Sequence, residues 1–116
     1  MKTSIIGYPR IGSLRELKFA SEKHFRGELS VAELQQTAKE LRTQNLTVQK
    51  ASGLDFIPSN DFSFYDGMLD TAVLLHAIPE RYRVLGLPEL DTYFAMARGY
   101  QGGKRRCKSI CDEKMV

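Results

Sequence analysis

The chain has little cysteine, and what it has lies at one end. Cys107 and Cys111 are its only two, so the rest carries no disulfide framework of the kind that staples small secreted domains. Three residues separate the pair, and no second pair completes a four-ligand zinc site. Histidine is equally scarce. His24 and His76 fall on expected helices with no second ligand at metal spacing, and read as ordinary core or surface residues. No apolar run approaches the ~18–20 residues of a membrane-crossing helix. Pro9 interrupts the N-terminal stretch before it could serve as a signal-peptide core. A cytoplasmic chain is therefore expected. Glycine is sparse where a phosphate cradle needs it, so there is neither a Walker loop nor a dinucleotide fingerprint.

An excess of one charge is also missing from most of the chain. The net charge is +3 over 116 residues. Beyond residue 102, Lys104, Arg105, Arg106, Lys108 and Lys114 stand against only Asp112 and Glu113, and they carry the whole excess. Residues 1–102 are neutral, which argues against a nucleic-acid-binding body. A small basic nucleic-acid-binding module, or a helical interaction protein, is the alternative class of function; the main reading expects neither nucleic acid nor membrane as partner. Apolar residues make up 42% and charged residues 27%, as in an ordinary globular chain. The length allows one domain at most.

What the chain does have is helix punctuation. Ser13-Leu14-Arg15-Glu16 has the capping-box pattern, a hydroxyl followed three residues later by a carboxylate. Leu14, Leu17, Ala20, Ser21, His24 and Phe25 follow at helical spacing, and Gly27 is a stop. Ser30-Val31-Ala32-Glu33 repeats the box; Val31, Leu34, Ala38, Leu41 and Val48 mark one face, and Gly53 ends it. The short link predicts an antiparallel helix pair. Residues 4–8 and 54–57 read as short strands closed by Pro9 and Pro58. A third helix is expected over 64–77, offering Tyr65, Met68, Leu69, Ala72, Val73 and Leu75 for burial, with Pro79 ending it. A fourth begins near Pro88, presents Leu90, Tyr93, Phe94 and Ala97, and stops at Gly99. Two strands joined through helices are most simply parallel, as in α/β folds. Two such strands do not make a finished sheet.

The chemistry concentrates in residues 7–18. This segment leaves a strand and opens a helix, the end of an α/β unit where ligands bind. Arg10, Arg15 and Lys18 bring three cations there, and the helix start adds unpaired amides. Spacing alone leaves two readings open: a site for carboxylates or phosphates, or a solvated face that Arg15 and Lys18 merely decorate.

Gly7-Tyr8-Pro9-Arg10-Ile11-Gly12-Ser13-Leu14-Arg15-Glu16-Leu17-Lys18 resembles the start of the cobalamin-independent methionine synthase family, the 5-methyltetrahydropteroyltriglutamate–homocysteine S-methyltransferases. The resemblance continues through Gln49-Lys50-Ala51-Ser52-Gly53-Leu54-Asp55-Phe56-Ile57-Pro58, then Asn60-Asp61-Phe62-Ser63-Phe64-Tyr65-Asp66, and ends at Ala95-Met96-Ala97-Arg98-Gly99. It implies an α/β fold. Residues 1–102 would be the opening β-αα-β-α-α portion of the N-terminal (β/α)8 TIM barrel, which in isolation would be mostly helical with two short strands. The resemblance also implies a role in methionine biosynthesis, by methyl transfer from 5-methyltetrahydrofolate polyglutamate to homocysteine. Arg15, Glu16, Leu17 and Lys18 would contribute to the folate site. The zinc that activates homocysteine belongs to the family's C-terminal barrel. No catalytic residue, metal ligand or cofactor is expected here, so the chain alone should be inactive. Its open barrel edges should make it self-associate.

The resemblance fails from Gly103, where the family runs roughly GEKGDVKAFAMKKWFN. A DNA encoding that string, with one G inserted in its first run of G, reads out the observed residues through Val116 and then a stop. Residues 103–116 are thus expected to be a frameshifted, non-native tail.

Overall fold

In the computed structural model, which describes residues 1–100, the chain enters its first helix through a left-handed residue. Helix α1 (Glu16–Arg26) follows Arg15, whose φ is 61° and ψ 32°, and no side chain caps it. This corrects the expected Ser13 box. The helix starts too late for Ser13 to reach its first amides. Glu16 turns back instead, and its Oε2 accepts from the Leu14 N–H at 3.1 Å. Gly12 has φ 84°, a conformation that a side chain would strain, and a Cβ there would displace the Glu16 carboxylate and crowd Leu41. Leu14 lies ahead of the helix and is exposed, contrary to its expected place on the apolar face. The stop at Gly27 is as predicted. Its φ is 85°, its N–H donates to His24 O, and Glu28 N–H donates to Lys23 O, which closes the helix in a Schellman turn.

Helix α2 (Val31–Ala51) has the complete box that α1 lacks. Ser30 Oγ accepts from Glu33 N–H at 3.3 Å, and Glu33 Oε2 accepts from Ser30 N–H at 2.8 Å. Those bonds to Ser30 hold the Glu33 carboxyl below its usual range. The short link folds α2 back against α1, and Leu17 and Ala20 join Leu34, Ala38 and Leu41 in one core. The stripe ends differently from the prediction. Val48 is exposed, while Asn45 is 5% and Gln49 1% exposed. The register running 34, 38, 41, 45, 49 puts polar side chains where the core continues.

Neither expected strand forms. Among the described residues the only pairing is a single parallel bridge between Ser4 and Phe56, with Phe56 N–H donating to Thr3 O at 3.1 Å. Asp55 Oδ2 reinforces it by accepting from Thr3 N–H at 2.7 Å and from Thr3 Oγ at 3.0 Å. The parallel direction is as predicted. The ladder is not, because a parallel pair needs a covered face and further strands. Here Ile6 and Phe56 are exposed.

The third helix is shorter than the predicted 64–77. Asp66 caps α3 (Gly67–Leu74), its Oδ1 accepting from Leu69 N–H at 2.8 Å. Leu69 and Val73 reach the rim of the core; Met68, Leu74 and Leu75 stay exposed. His76 follows at φ 54°. A one-turn helix that spacing does not predict, α4 (Glu80–Arg83), starts from Pro79. Pro88 sits one residue before α5 (Glu89–Arg98) rather than in its first turn. Helix α5 packs on α3 and α4 and buries Thr92, Tyr93, Phe94 and Ala95. Phe94 is the hub of the aromatic core, with His24, Phe25, Phe64 and Tyr93 at ring-centroid distances of 4.9–6.0 Å. His24 lies in this core at 2% exposure. Its Nδ1 is 3.0 Å from Leu29 O, and its Nε2 is 3.3 Å from Asp91 Oδ1.

Lys104, Arg105, Arg106, Cys107, Cys111 and the proposed boundary at Gly103 lie outside the described residues. No helix among the described residues is long and apolar enough to cross a membrane.

Candidate functional site

The segment that sequence marks for chemistry, residues 7–18, is positioned by its neighbours rather than by its own burial. No residue from Met1 through Glu16 is buried, and Leu17 is the first that is. Hydrophobic burial therefore fixes α1 but not the loop before it. Polar contacts with residues 61–65 supply what burial does not.

Gly7 lies against the Asp61 carbonyl, so closely that an added Cβ would stand 3.0 Å from that oxygen. Tyr8 N–H donates to Asp61 Oδ1 at 3.2 Å. Pro9 O is 3.5 Å from Asn45 Nδ2. Arg10 reaches back across the gap. Its terminal nitrogen donates to the carbonyls of Ser63, Phe64 and Tyr65 at 3.3, 3.2 and 2.6 Å. The contacts of Tyr8 and Arg10 join residues more than fifty positions apart in sequence.

Asp61 is the buried centre of this arrangement. Its Oδ2 accepts from Asn45 Nδ2 at 2.7 Å, and its Oδ1 also accepts from Gln49 Nε2 at 3.1 Å. A buried carboxylate needs donors to offset its desolvation, and α2 provides two of them one turn apart. Gln49 Oε1 has no hydrogen-bond partner among the described residues. Arg42, also on α2, stacks over Phe62 at 4.4 Å and donates to Phe62 O at 3.1 Å. The loop after the second extended segment is thus held to α2 on both sides.

The four predicted site residues take separate parts. Arg15 is exposed and has no ion-pair partner among the described residues. Lys18, one turn on, pairs with Glu22 at 3.8 Å, with both side chains about half exposed. Such a surface pair is weak and gives way readily to another anion. Leu17 is in the core, so it anchors the helix rather than facing a ligand. Glu16 braces the loop through Leu14 N–H. Arg10, the third cation expected at the mouth, is engaged with carbonyls and makes no ion pair among the described residues.

Spacing alone does not single out Asp61, Asn45 or Gln49. A signal exists nonetheless: Asn45 and Gln49 occupy the core positions that the Leu34, Ala38, Leu41 stripe leads to. Polar residues in a core register indicate a buried polar partner. Among the described residues no three His, Cys, Asp or Glu side chains converge in one cluster.

A family model described as the N-terminal domain of cobalamin-independent synthase matches residues 2–110. The chain is 59% identical over 109 residues to a 5-methyltetrahydropteroyltriglutamate–homocysteine methyltransferase of Lactococcus lactis subsp. cremoris strain SK11, covering 94% of this chain and 14% of the relative. It is 57% identical over 102 residues to the protein of that name from Campylobacter jejuni subsp. doylei, covering 88% and 14%. The Streptococcus thermophilus protein of that name is 53% identical over 110 residues, covering 95% and 15%. The chain therefore spans about one-seventh of the length of these relatives.

Proposed function

This chain belongs to the cobalamin-independent synthase family, matching its N-terminal domain, and from that premise we propose that residues 7–18 form part of a binding site for 5-methyltetrahydropteroyltriglutamate. The observation that carries the reading is the pair of accessible cations at the opening of α1. Arg15 and Lys18 stand three residues apart beside the first-turn amides. A polyglutamate tail presents a row of carboxylates, and this corner offers exposed positive charge that no strong ion pair among the described residues engages. Glu16 and Leu17 serve the same site by holding loop and helix in place.

The reaction is that of the longer protein: transfer of the folate methyl group to the sulfur of homocysteine, which forms methionine. Residues 1–102 are then the opening portion of a TIM barrel, a reading supported by the parallel sense of the single Ser4–Phe56 bridge. Zinc would activate the homocysteine thiol by lowering its pKa. Its ligands belong to another part of that protein, and the chain on its own is inactive. Exposed Ile6, Leu14, Met68, Leu74, Leu75 and Val84 favour self-association of the isolated chain. Residues 103–116 are a frameshifted tail; DNA from which no single-base deletion recovers the family reading frame would refute that assignment. A nucleic-acid-binding role has only the tail's charge in its favour.

The test is calorimetric titration of the chain with 5-methyltetrahydropteroyltriglutamate. Binding heat that is lost in Arg15→Gln/Lys18→Gln supports the assignment. Heat that is unchanged by the double substitution, or no heat from a chain with a helical spectrum, removes it.

A further inference from the structure

The three cations of residues 7–18 do not share one role. We propose that Arg10 and Asp61 form a two-sided clamp that sets the position of the loop through residue 15, and so determines where Arg15 and Lys18 present their charge. Arg10 is a positioning residue, not an anion ligand. The inference deepens the folate-site reading and rests on it for the identity of the ligand.

Four consecutive residues, 7 to 10, meet residues of α2 and the 61–65 loop, each in a different way. From one side, the Asp61 carboxylate reaches to the Tyr8 N–H. From the other, the Arg10 guanidinium reaches to three successive carbonyls. The two arms run in opposite directions between the same pair of loops, so neither loop can slide without breaking one of them. Asp61 is itself immobilised by Asn45 and Gln49 from α2. The clamp therefore ties the loop to α2, the longest helix among the described residues.

The loop needs such a device for two reasons. Its side chains are not buried: Ile11 and Leu14 are exposed, so packing does not locate it. Arg15 also sits in the left-handed region, at φ 61°, which a non-glycine residue adopts only when its surroundings impose it. The Arg15 N–H donates to Gly12 O at 3.3 Å and Leu17 N–H to Ile11 O at 3.2 Å. Both turn bonds depend on where residues 8–12 are held.

The test measures the loop and the ligand separately. In a chain with Cys107→Ser and Cys111→Ser, Ser13→Cys and Lys39→Cys take spin labels on exposed positions of the loop and of α2. Distances are read in samples diluted with unlabelled chain. The parent chain should give one narrow distance distribution. Arg10→Met, a surface change that leaves the core intact, should broaden it at least twofold and weaken 5-methyltetrahydropteroyltriglutamate binding about tenfold, the scale at which misplacing a binding group is felt. Arg10→Lys, which keeps donors for the carbonyls, should restore much of both. Asp61→Asn should act like Arg10→Met, because an amide cannot accept from Tyr8, Asn45 and Gln49 together.

An unchanged distribution in Arg10→Met overturns the clamp, whatever the affinity does. Lost affinity with an unchanged distribution would make Arg10 a direct ligand, which also overturns it. A broadened distribution with unchanged affinity overturns the positioning role. Failure of the ligand assignment appears elsewhere, as binding indifferent to Arg15→Gln/Lys18→Gln, and the distances still judge the clamp.

Discussion

Asn45 Nδ2 lies 2.7 Å from Asp61 Oδ2, in a buried contact between α2 and the loop that follows the Ser4–Phe56 bridge. It is the shortest of the three donations that Asp61 receives. Asn45→Ala would leave a buried carboxylate oxygen without that donor. We expect a loss of about 1–3 kcal/mol in unfolding free energy by urea titration, the cost of an unsatisfied buried group. Asn45→Asp should cost more, since it sets a second carboxylate against the first.

Two serines with the same sequence motif should respond differently. Ser30→Ala removes a real cap and should cost about 1 kcal/mol. Ser13→Ala removes a hydroxyl that caps nothing and should leave the thermal midpoint unchanged. Equal shifts in the two melts would contradict the capping difference between α1 and α2.

Stability should fall at high pH through Tyr93. Its phenol is pushed up to about 12, first by burial and then by the neighbouring Asp70. A folded-state pKa above the unfolded value of about 10 means that its contribution is complete below about pH 10 and is lost as pH rises towards 12. Urea midpoints across that interval should drop in the parent chain and drop less in Tyr93→Phe. The variant itself should lose about 1 kcal/mol at neutral pH, because Tyr93 Oη accepts from Tyr65 N–H at 2.8 Å and Asp66 N–H at 3.4 Å.

The apolar surface around α3 should govern self-association. Leu74→Glu and Leu75→Glu replace exposed side chains and should shift sedimentation towards the monomer without loss of helical signal. A parent chain that sediments as a monomer at high concentration would remove this expectation.

How much of this was legible in the residues differs by element. The Ser30 box, the Gly27 stop and the pairing of the first two helices could be read directly, because each depends on atoms within a few positions of one another. The Ser13 box could not. The same pattern fails there because the loop before α1 is held by residues 61–65, and the helix starts only at Glu16. Leu14 and Val48 were misplaced for a related reason: periodicity gives the stripe but not where the helix begins or which way the stripe drifts. The candidate loop was legible as a place, and its division of labour was not. Arg10 looks like Arg15 in the sequence, yet one is bound to carbonyls and the other is left for solvent.

The sequence by itself determined the local helix signals, the neutral body with its basic end, and the family through motifs spread along residues 7–99. The tertiary structure decided the rest: a single bridge in place of two strands, a buried Asp61 fed by Asn45 and Gln49, and Arg10 engaged with the carbonyls of residues 63–65. Caps and stops close over three to five residues, so the chain encodes them locally. Strand ladders and buried polar contacts need partners from distant segments, and only the packed chain shows which partners are present.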